Sequence, residues 1–119
     1  MIEFICYPKC STCAKARKWL EQNGIEYKER NIKEEPPAAE ELRIVLERSG
    51  LSAKKLFNTS GMRYRELGLK DRLKTMTEDE MLALLSTDGM LVKRPIAVSD
   101  NTALVGFKEP EWAEKLLRS

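Results

Sequence analysis

The fold is decided near the start of the chain, which reads IEFICYPKCSTCAKARKWLEQNG over residues 2–24. Residues 2–6 form a short apolar run rich in β-branched and aromatic side chains, which is typical of a buried strand, and Pro8 ends any further strand pairing. Apolar residues then recur at helical spacing over residues 11–23, and Gly24 follows as a stop signal. The stretch therefore predicts a strand, a short turn and a helix.

Two cysteines, Cys10 and Cys13, lie where the turn meets that predicted helix. A thiol in the first turn of a helix is close to unpaired backbone N–H groups and to the positive end of the helix dipole, and both favour the thiolate. Cys10 is therefore the expected nucleophile. Cys13 follows three residues later on the same helical face, where Cα atoms come within the roughly 5.5 Å that a disulfide needs, so it is the expected resolving thiol.

Two other interpretations of the cysteine pair stay open: a pair of inert buried thiols, and half of a zinc site. A four-ligand zinc site would need two more ligands, and the chain has neither a histidine nor a second C-x-x-C motif. Without histidine the usual imidazole base is also missing, and no metal site is expected. The place of Cys6 in the apolar run predicts a small buried hydrophobe without a redox role.

The next segment predicts a second strand followed by a long run of helices. Residues 25–32 have strand character, so the chain begins with a strand, a helix and a strand. The proline pair at residues 36–37 suits the start of a helix that ends at Ser49 and Gly50. Short helical patterns follow, and residues 77–80 match the capping box of another helix, which Asp88 and Gly89 end.

Strand signals return towards the carboxyl end. Residues 96–98 and 103–107 are apolar runs separated by turn residues, which predicts a hairpin, and a last helix begins near Pro110. We therefore expect an α/β protein with a thioredoxin-like βαβ…ββα core and an all-helical insert, at about residues 38–91, between strands 2 and 3. The length of 119 residues fits a single domain, residues 1–119.

Charge and the amino-terminal sequence limit the partners. Lys and Arg total 21 against 19 Asp and Glu, with both signs scattered, so the net charge of +2 does not indicate a nucleic-acid surface. The amino-terminal residues lack a basic segment followed by an apolar one, and no window approaches the roughly 18 apolar residues of a membrane span. We expect a cytoplasmic protein with no membrane contact and no direct contact with nucleic acid.

Four stretches are informative together: residues 7–10 (YPKC), 30–37 (RNIKEEPP), 64–69 (YRELGL) and 93–96 (KRPI). In this order they resemble the arsenate reductase (ArsC) family of thioredoxin-like proteins, which includes the Spx-type regulators. The resemblance implies that Cys10 is the nucleophile, that Arg94 faces its thiol and that a cis peptide bond precedes Pro95. Arg94 would lower the thiol pKa and grip an oxyanion, and the proline would set a backbone edge beside the sulfur for a substrate strand.

The chain also departs from the family's arsenate reductases. Three arginines hold the oxyanion in members that use external thiols, but Asn58 stands at the position of the first, and residues 105–108 (VGFK) supply none for the third. Lys9, Arg63 and Lys108 are candidates for compensating charge. Glutathione-dependent members lack a counterpart of Cys13 and Spx-type members have one, which points to an internal disulfide. We assign substrate binding to Lys9, Ser11, Thr12, Asn58 and Pro95.

The resemblance and the cysteine pair together predict a glutaredoxin-like thiol–disulfide oxidoreductase, in which Cys10 attacks an oxidised sulfur and Cys13 closes a reversible intramolecular disulfide. No cofactor is expected, because an external thiol such as glutathione or thioredoxin, or another redox partner protein, supplies the electrons. The nearest alternative is an arsenate reductase proper, whose substrate is an oxyanion.

An alternative of a different class is a Spx-like redox-sensing transcription regulator, whose partner is RNA polymerase. Two features disfavour it. The sequence ends at Ser119 without the longer basic tail of such regulators, and Ser52 stands near the position of their polymerase-contacting glycine. Both the enzyme and the regulator rest on family analogy.

Overall fold

The computed structural model describes residues 1–117. Within them the strands are β1 (Ile2–Cys6), β2 (Tyr27–Asn31), β3 (Ile96–Val98) and β4 (Ala103–Val105). The α-helices are α1 (Ser11–Gln22), α2 (Ala39–Ser49), α3 (Met62–Glu66), α4 (Leu69–Arg72), α5 (Glu78–Ser86) and α6 (Glu109–Leu117). Short 3₁₀ helices lie at Ala53–Leu56, Leu73–Thr75 and Gly89–Leu91. No helix of this part of the chain is long and apolar enough to cross a bilayer.

The four strands form one sheet in the order β2-β1-β3-β4. β1 pairs in parallel with β2 and antiparallel with β3, and β3 and β4 form the predicted hairpin. This is the thioredoxin-like arrangement that the sequence predicts. Side chains alternate between the faces of a strand, and both faces of β1 are covered, so Phe4 packs with α1 and α6 while Ile5 packs with the helices between β2 and β3.

The second strand is shorter than the predicted residues 25–32. Pairing with β1 begins at Tyr27, because the Ile25 N–H donates to the Leu20 carbonyl (3.0 Å) and belongs to the end of α1. Ile32 is fully buried just beyond β2, and its N–H donates to the Cys6 carbonyl (2.8 Å). The apolar ends of the predicted strand are therefore packing residues outside the ladder.

The segment between β2 and β3 is helical, as predicted. At the start of α5 the predicted capping box forms, since Thr77 Oγ1 accepts from the Glu80 N–H (3.1 Å) and the Glu80 carboxylate accepts from the Thr77 N–H (2.8 Å). The segment also has an isolated bridge between Phe57 and Val92. Because the bridge is antiparallel, the Asn58 N–H donates to the Leu91 carbonyl (2.8 Å) and the Lys93 N–H donates to the Leu56 carbonyl (2.7 Å).

The carboxyl-terminal helix fixes the last loop of the site. Trp112 is fully buried against Phe4 and Trp19, with ring centroids 6.4 and 6.1 Å away, respectively. Its indole N–H donates to the Gly106 carbonyl (3.0 Å). The loop that connects β4 to α6 is thereby anchored next to the start of α1.

Candidate active site

Cys10 lies at the amino end of α1, as its position in the sequence predicts. It is the residue that precedes the first helical turn, with an extended backbone (φ −85°, ψ 124°), and its N–H donates to the Tyr7 carbonyl (2.9 Å). The turn after β1 therefore delivers the cysteine directly to the helix amino terminus. Its side chain is partly exposed, so a substrate can reach the sulfur.

The surroundings of Cys10 lower the pKa of its thiol. Partial burial is the largest single effect and opposes ionisation. The backbone N–H and the thiol of Cys13, the backbone N–H of Thr12 and the positive charge of Arg94 together outweigh that effect and lower the pKa of Cys10. The site therefore favours a reactive thiolate at an accessible sulfur.

Cys13 has the opposite environment. Its side chain is fully buried, and its sulfur accepts a hydrogen bond from the Tyr7 N–H (3.3 Å). Contact with Cys6 and then burial raise the pKa of Cys13 well above its ordinary value, against the smaller effect of the Tyr7 N–H. All three cysteines are free thiols. Cys13 is thus a protonated thiol directly behind an ionisable one.

Arg94 reaches the site from the loop before β3, and the Arg94–Pro95 peptide bond is cis, as the family resemblance implies. Its Nη1 donates to the carbonyls of Met90 (3.4 Å) and Val92 (3.3 Å), and its guanidinium lies 5.4 Å from the centre of the Tyr7 ring. Its Nε is buried without a hydrogen-bond partner. No carboxylate of residues 1–117 forms an ion pair with it. Its charge is therefore available to a thiolate or to a bound anion.

Cys10 and Arg94 open onto a cleft of about 590 Å³. Three cationic side chains line it, and the lining drawn from the described residues contains no acidic side chain. The cleft is bordered by Cys10, Thr12, Asn58, Ser60, Gly61, Met62, Lys93, Arg94, Val105, Gly106, Phe107 and Lys108. Such a lining suits an anionic substrate or an anionic substituent near the reacting sulfur.

The structure brings some of the predicted binding residues to this cleft and leaves others outside. Thr12 and Asn58 line it, and the Asn58 side chain also accepts from the Ser60 hydroxyl (3.2 Å). Pro95, the residue after Arg94, is buried. Lys9 and Ser11 do not line the cleft: they are exposed, because they lie in the turn and at the start of α1 on the side that faces solvent.

The residues that could supply positive charge in place of the missing arginines also differ from those expected. Arg63 is engaged elsewhere, in ion pairs with Asp88 (3.2 Å) and Glu66 (3.7 Å), whereas Lys108 lines the cleft. Lys93 lines it as well, although the sequence suggests no role for it. Its place directly before the Arg-Pro pair is a usable signal, but the loop geometry that brings it to the cleft depends on the tertiary fold.

No group of three His, Cys, Asp or Glu side chains within residues 1–117 has the geometry to hold a metal ion.

The chain is similar to one protein family and to individual proteins of known sequence or structure. The model of the ArsC family matches residues 6–115. The protein YusI of Bacillus subtilis, which is uncharacterized, is 55% identical over 95% of this chain and 96% of its own length. The regulatory protein MgsR of the same organism is 31% identical over 92% of this chain and 86% of its own length. The crystal structure of an ArsC family related protein from Bacteroides fragilis superposes with a TM-score of 0.93 at 53% identity, covering 95% of each chain.

Proposed function

The chain belongs to the ArsC family, and within that family we propose that it is a glutaredoxin-like thiol–disulfide oxidoreductase. Cys10 is the nucleophile, Cys13 the resolving thiol and Arg94 the cationic partner of the Cys10 thiolate. The observation that carries this proposal is the contrast between two cysteines in one helical turn. Cys10 is accessible with a lowered pKa, and Cys13 is fully buried with a raised one.

This difference between Cys10 and Cys13 indicates which thiol attacks the substrate first and which one resolves the mixed disulfide. The Cys10 thiolate attacks one sulfur of a disulfide substrate, the substrate S–S bond breaks, and the departing thiolate takes a proton from solvent. Cys10 is then joined to the remaining half of the substrate. Cys13 loses its proton and attacks the Cys10 sulfur, which releases the second substrate thiol and leaves a Cys10–Cys13 disulfide. The two electrons received by the substrate come from the two cysteines.

An external thiol closes the cycle by reducing that disulfide. Glutathione and thioredoxin are the candidate reductants, and the proposal needs no bound cofactor. Lys93, Arg94 and Lys108 around the cleft favour a substrate or reductant that carries negative charge close to its sulfur. Glutathione has two carboxylates and fits this requirement.

Arsenate reduction is the second enzymatic candidate. The buried Nε of Arg94 without a partner is a donor that an oxyanion could satisfy, and this observation favours it. Against it, Arg94 is the one guanidinium among the described residues that line the cleft, and Asn58 offers a neutral amide where related reductases have arginine. Two lysines are flexible point charges that hold a trigonal oxyanion less specifically than a guanidinium fork.

A redox-sensing regulator is the candidate of another class. The similarity to MgsR, a regulatory protein, favours it. In that case the Cys10–Cys13 pair would act as a switch, and a surface of the protein would bind RNA polymerase. Arg94 beside Cys10 would suit a switch as well as an enzyme, but Lys93 and Lys108 extend the positive charge along a cleft that can hold a small anionic substrate, so the enzyme is the stronger proposal.

One set of assays separates the three candidates. The purified protein is tested for reduction of the mixed disulfide of glutathione with a small thiol, for arsenate reduction, and for capture of RNA polymerase. Cys10→Ser is expected to abolish disulfide reduction, and Cys13→Ser to accumulate a mixed disulfide at Cys10. Arg43→Gln serves as the control, because Arg43 pairs with Glu78 and Asp79 away from the cleft.

Disulfide reduction that survives in Cys10→Ser would overturn the proposal. Arsenate reduction without disulfide reduction would make the oxyanion candidate correct. Polymerase capture that depends on the oxidation state of the cysteine pair, in a protein without either reductase activity, would make it a regulator.

A further inference from the structure

The third cysteine lies directly behind the proposed pair. Cys6 is the last residue of β1 and is fully buried, like Cys13, in the apolar cluster that joins β1 to α1 and α6. The two side chains lie close together: the Cys13 sulfur accepts from the N–H of Tyr7, the residue after Cys6 (3.3 Å), and contact with Cys13 is the largest influence on the pKa of Cys6. A packing role alone, which the sequence predicts for Cys6, does not account for this contact.

Cys6 also contacts a cation. Arg17, one helical turn after Cys13, donates from Nη2 to the Cys6 sulfur (3.4 Å). The same guanidinium pairs with Glu29 of β2, with distances of 2.8 Å from Nε to Oε1 and 3.2 Å from Nη2 to Oε2. The Arg17 side chain is 26% exposed and the Glu29 side chain 36%. Polar side chains therefore connect the buried Cys6 sulfur, next to Cys13, to the surface.

The charged and titratable groups that face Cys6 are Cys13 and Arg17 from α1 and Glu29 from β2. Contact with Cys13 is the largest effect on Cys6 and lowers its pKa; burial and the negative charge of Glu29 oppose this, and Arg17 adds to it. The same contact raises the pKa of Cys13. The surroundings therefore favour the ionised form of Cys6 over that of Cys13.

The proposed resolving step needs a proton acceptor. Cys13 must become a thiolate before it can attack Cys10, but it is fully buried and the chain has no histidine. In the free protein the Cys10 sulfur also contacts the Cys13 thiol. Once Cys10 is joined to a substrate its sulfur is no longer a thiolate and cannot take the proton. Cys6 is the remaining sulfur in contact with Cys13.

Resting on the oxidoreductase function proposed above, we propose that Cys6, whose sulfur accepts a hydrogen bond from Arg17, accepts the Cys13 proton while Cys13 resolves the mixed disulfide. In this step the Cys13 S–H bond breaks and a Cys6 S–H bond forms. The Cys13–Cys10 bond forms as the Cys10–substrate bond breaks, and the electron pair of that bond leaves with the substrate thiolate. Cys6 is not oxidised, and its new proton leaves at the exposed Arg17–Glu29 pair.

Single-turnover kinetics with 5,5′-dithiobis(2-nitrobenzoic acid) test this assignment. The reduced protein releases one equivalent of nitrothiobenzoate when Cys10 attacks and a second when Cys13 resolves the adduct, so the two steps are followed separately. For Cys6→Ser we expect an unchanged first phase, and a second phase slower by about 100-fold or more at neutral pH, in line with the usual contribution of a general base. The pH at which the second phase reaches half of its maximal rate should move upwards.

Arg17→Gln is the second variant and should shift the second phase in the same direction, because loss of the guanidinium disfavours the Cys6 thiolate. It also keeps the test valid if Cys6→Ser fails to fold, which circular dichroism and thermal melting would show. Arg43→Gln is the matched control, since it removes a surface arginine with two carboxylate partners distant from the thiols, and it should leave both phases unchanged.

The outcomes distinguish this proposal from the proposed function. If both Cys6→Ser and Arg17→Gln keep the wild-type pH profile of the second phase, Cys6 acts by packing and this proposal is wrong, although the oxidoreductase stands. A uniform slowing at every pH with no shift of the profile also means that Cys6 acts by packing. A wild-type protein that shows no second phase at all contradicts the resolving role of Cys13, and both proposals then fail.

Discussion

At the scale of single residues, the chemistry of the site depends on the different burial and pKa of three nearby thiols. Cys10 is accessible and has a lowered pKa, while Cys13 and Cys6 are buried, with a raised pKa for Cys13 and a lowered pKa for Cys6. The roles proposed for Cys10 and Cys13 follow from sequence, because both depend on local helix geometry. The role inferred for Cys6 does not, because its partners Arg17 and Glu29 come from a helix and another strand.

Arg94 is the residue whose contribution is most simply measured. Replacing Arg94 with Gln removes the positive charge that favours the Cys10 thiolate, so the pKa of Cys10 should rise. Alkylation of Cys10 by iodoacetamide at slightly acidic pH should become slower by a factor of a few, and the two proteins should converge at high pH, where both thiols are ionised. The rate is followed by intact-protein mass across the pH range.

Arg43→Gln controls for the loss of one positive charge from the surface and should alkylate like the wild type. An Arg94→Gln protein with an unchanged profile would show that the helix terminus alone sets the reactivity of Cys10.

At the scale of elements, each helix or strand with its own sequence signal forms where it is expected, and the differences lie at the ends. α1, α2 and α5 follow their apolar spacing and their start and stop residues. β2 is shorter than its apolar pattern because Ile25 bonds to α1 and Ile32 lies beyond the ladder. These contacts are made with other elements, so no local pattern in the sequence indicates them.

The junction of β2 with α2 should make stability depend on pH. The Glu41 carboxylate accepts from Arg30 Nη1 (2.6 Å) and Nη2 (3.1 Å) and from the Ala38 N–H (2.9 Å). The hydrogen bonds from Arg30 are the main reason that the pKa of Glu41 is lowered. A lowered pKa in the folded state means that the stabilisation is complete above the ordinary carboxylate pKa and is lost as the pH falls through the lowered value.

Glu41→Gln should therefore cost less than about 1 kcal/mol of unfolding free energy at neutral pH, since the carboxylate is partly exposed. The difference from the wild type should shrink as the pH is lowered below about 4.3, the ordinary value for Glu. Urea unfolding at neutral and acidic pH measures it, with the exposed Glu40→Gln as control. A pH-independent difference would contradict the assignment.

At the scale of the whole molecule, the helical segment must dock on the sheet for the cleft to exist, because Asn58 comes from that segment and Cys10 from the start of α1. At Gly89 the helical segment packs tightly against the backbone of Ile32, just after β2. A Cβ atom at this position would lie 1.9 Å from the Ile32 carbonyl oxygen and 2.7 Å from its carbonyl carbon, both of which are backbone atoms that cannot move aside. The sequence predicts Gly89 only as the end of a helix, since the contact with Ile32 arises from the tertiary fold.

Gly89→Ala should therefore lower the unfolding free energy by several kcal/mol, in the range of severe overpacking, or prevent folding. Gly24→Ala is the matched control. Gly24 has a positive φ of 64° but nothing within 4 Å of an added Cβ, so the cost should be only about 1 kcal/mol, from the backbone conformation. Urea denaturation of both variants gives the comparison, and equal losses would mean that the close approach of Gly89 to Ile32 is not a stabilising constraint.

The central claim, that Cys10 and Cys13 form one redox pair with Cys10 reacting first, is tested most directly by mapping the thiols after a single turnover. Trypsin cuts after Lys9 and Lys15, so both cysteines fall in the peptide of residues 10–15 and Cys6 in that of residues 1–9. After reaction with oxidised glutathione, we predict a 10–15 peptide that is lighter by two hydrogens, a 1–9 peptide with a free thiol, and, in Cys13→Ser, glutathione retained on Cys10. A wild-type 10–15 peptide that keeps glutathione without an internal bridge, or a first adduct on Cys13, would contradict the account.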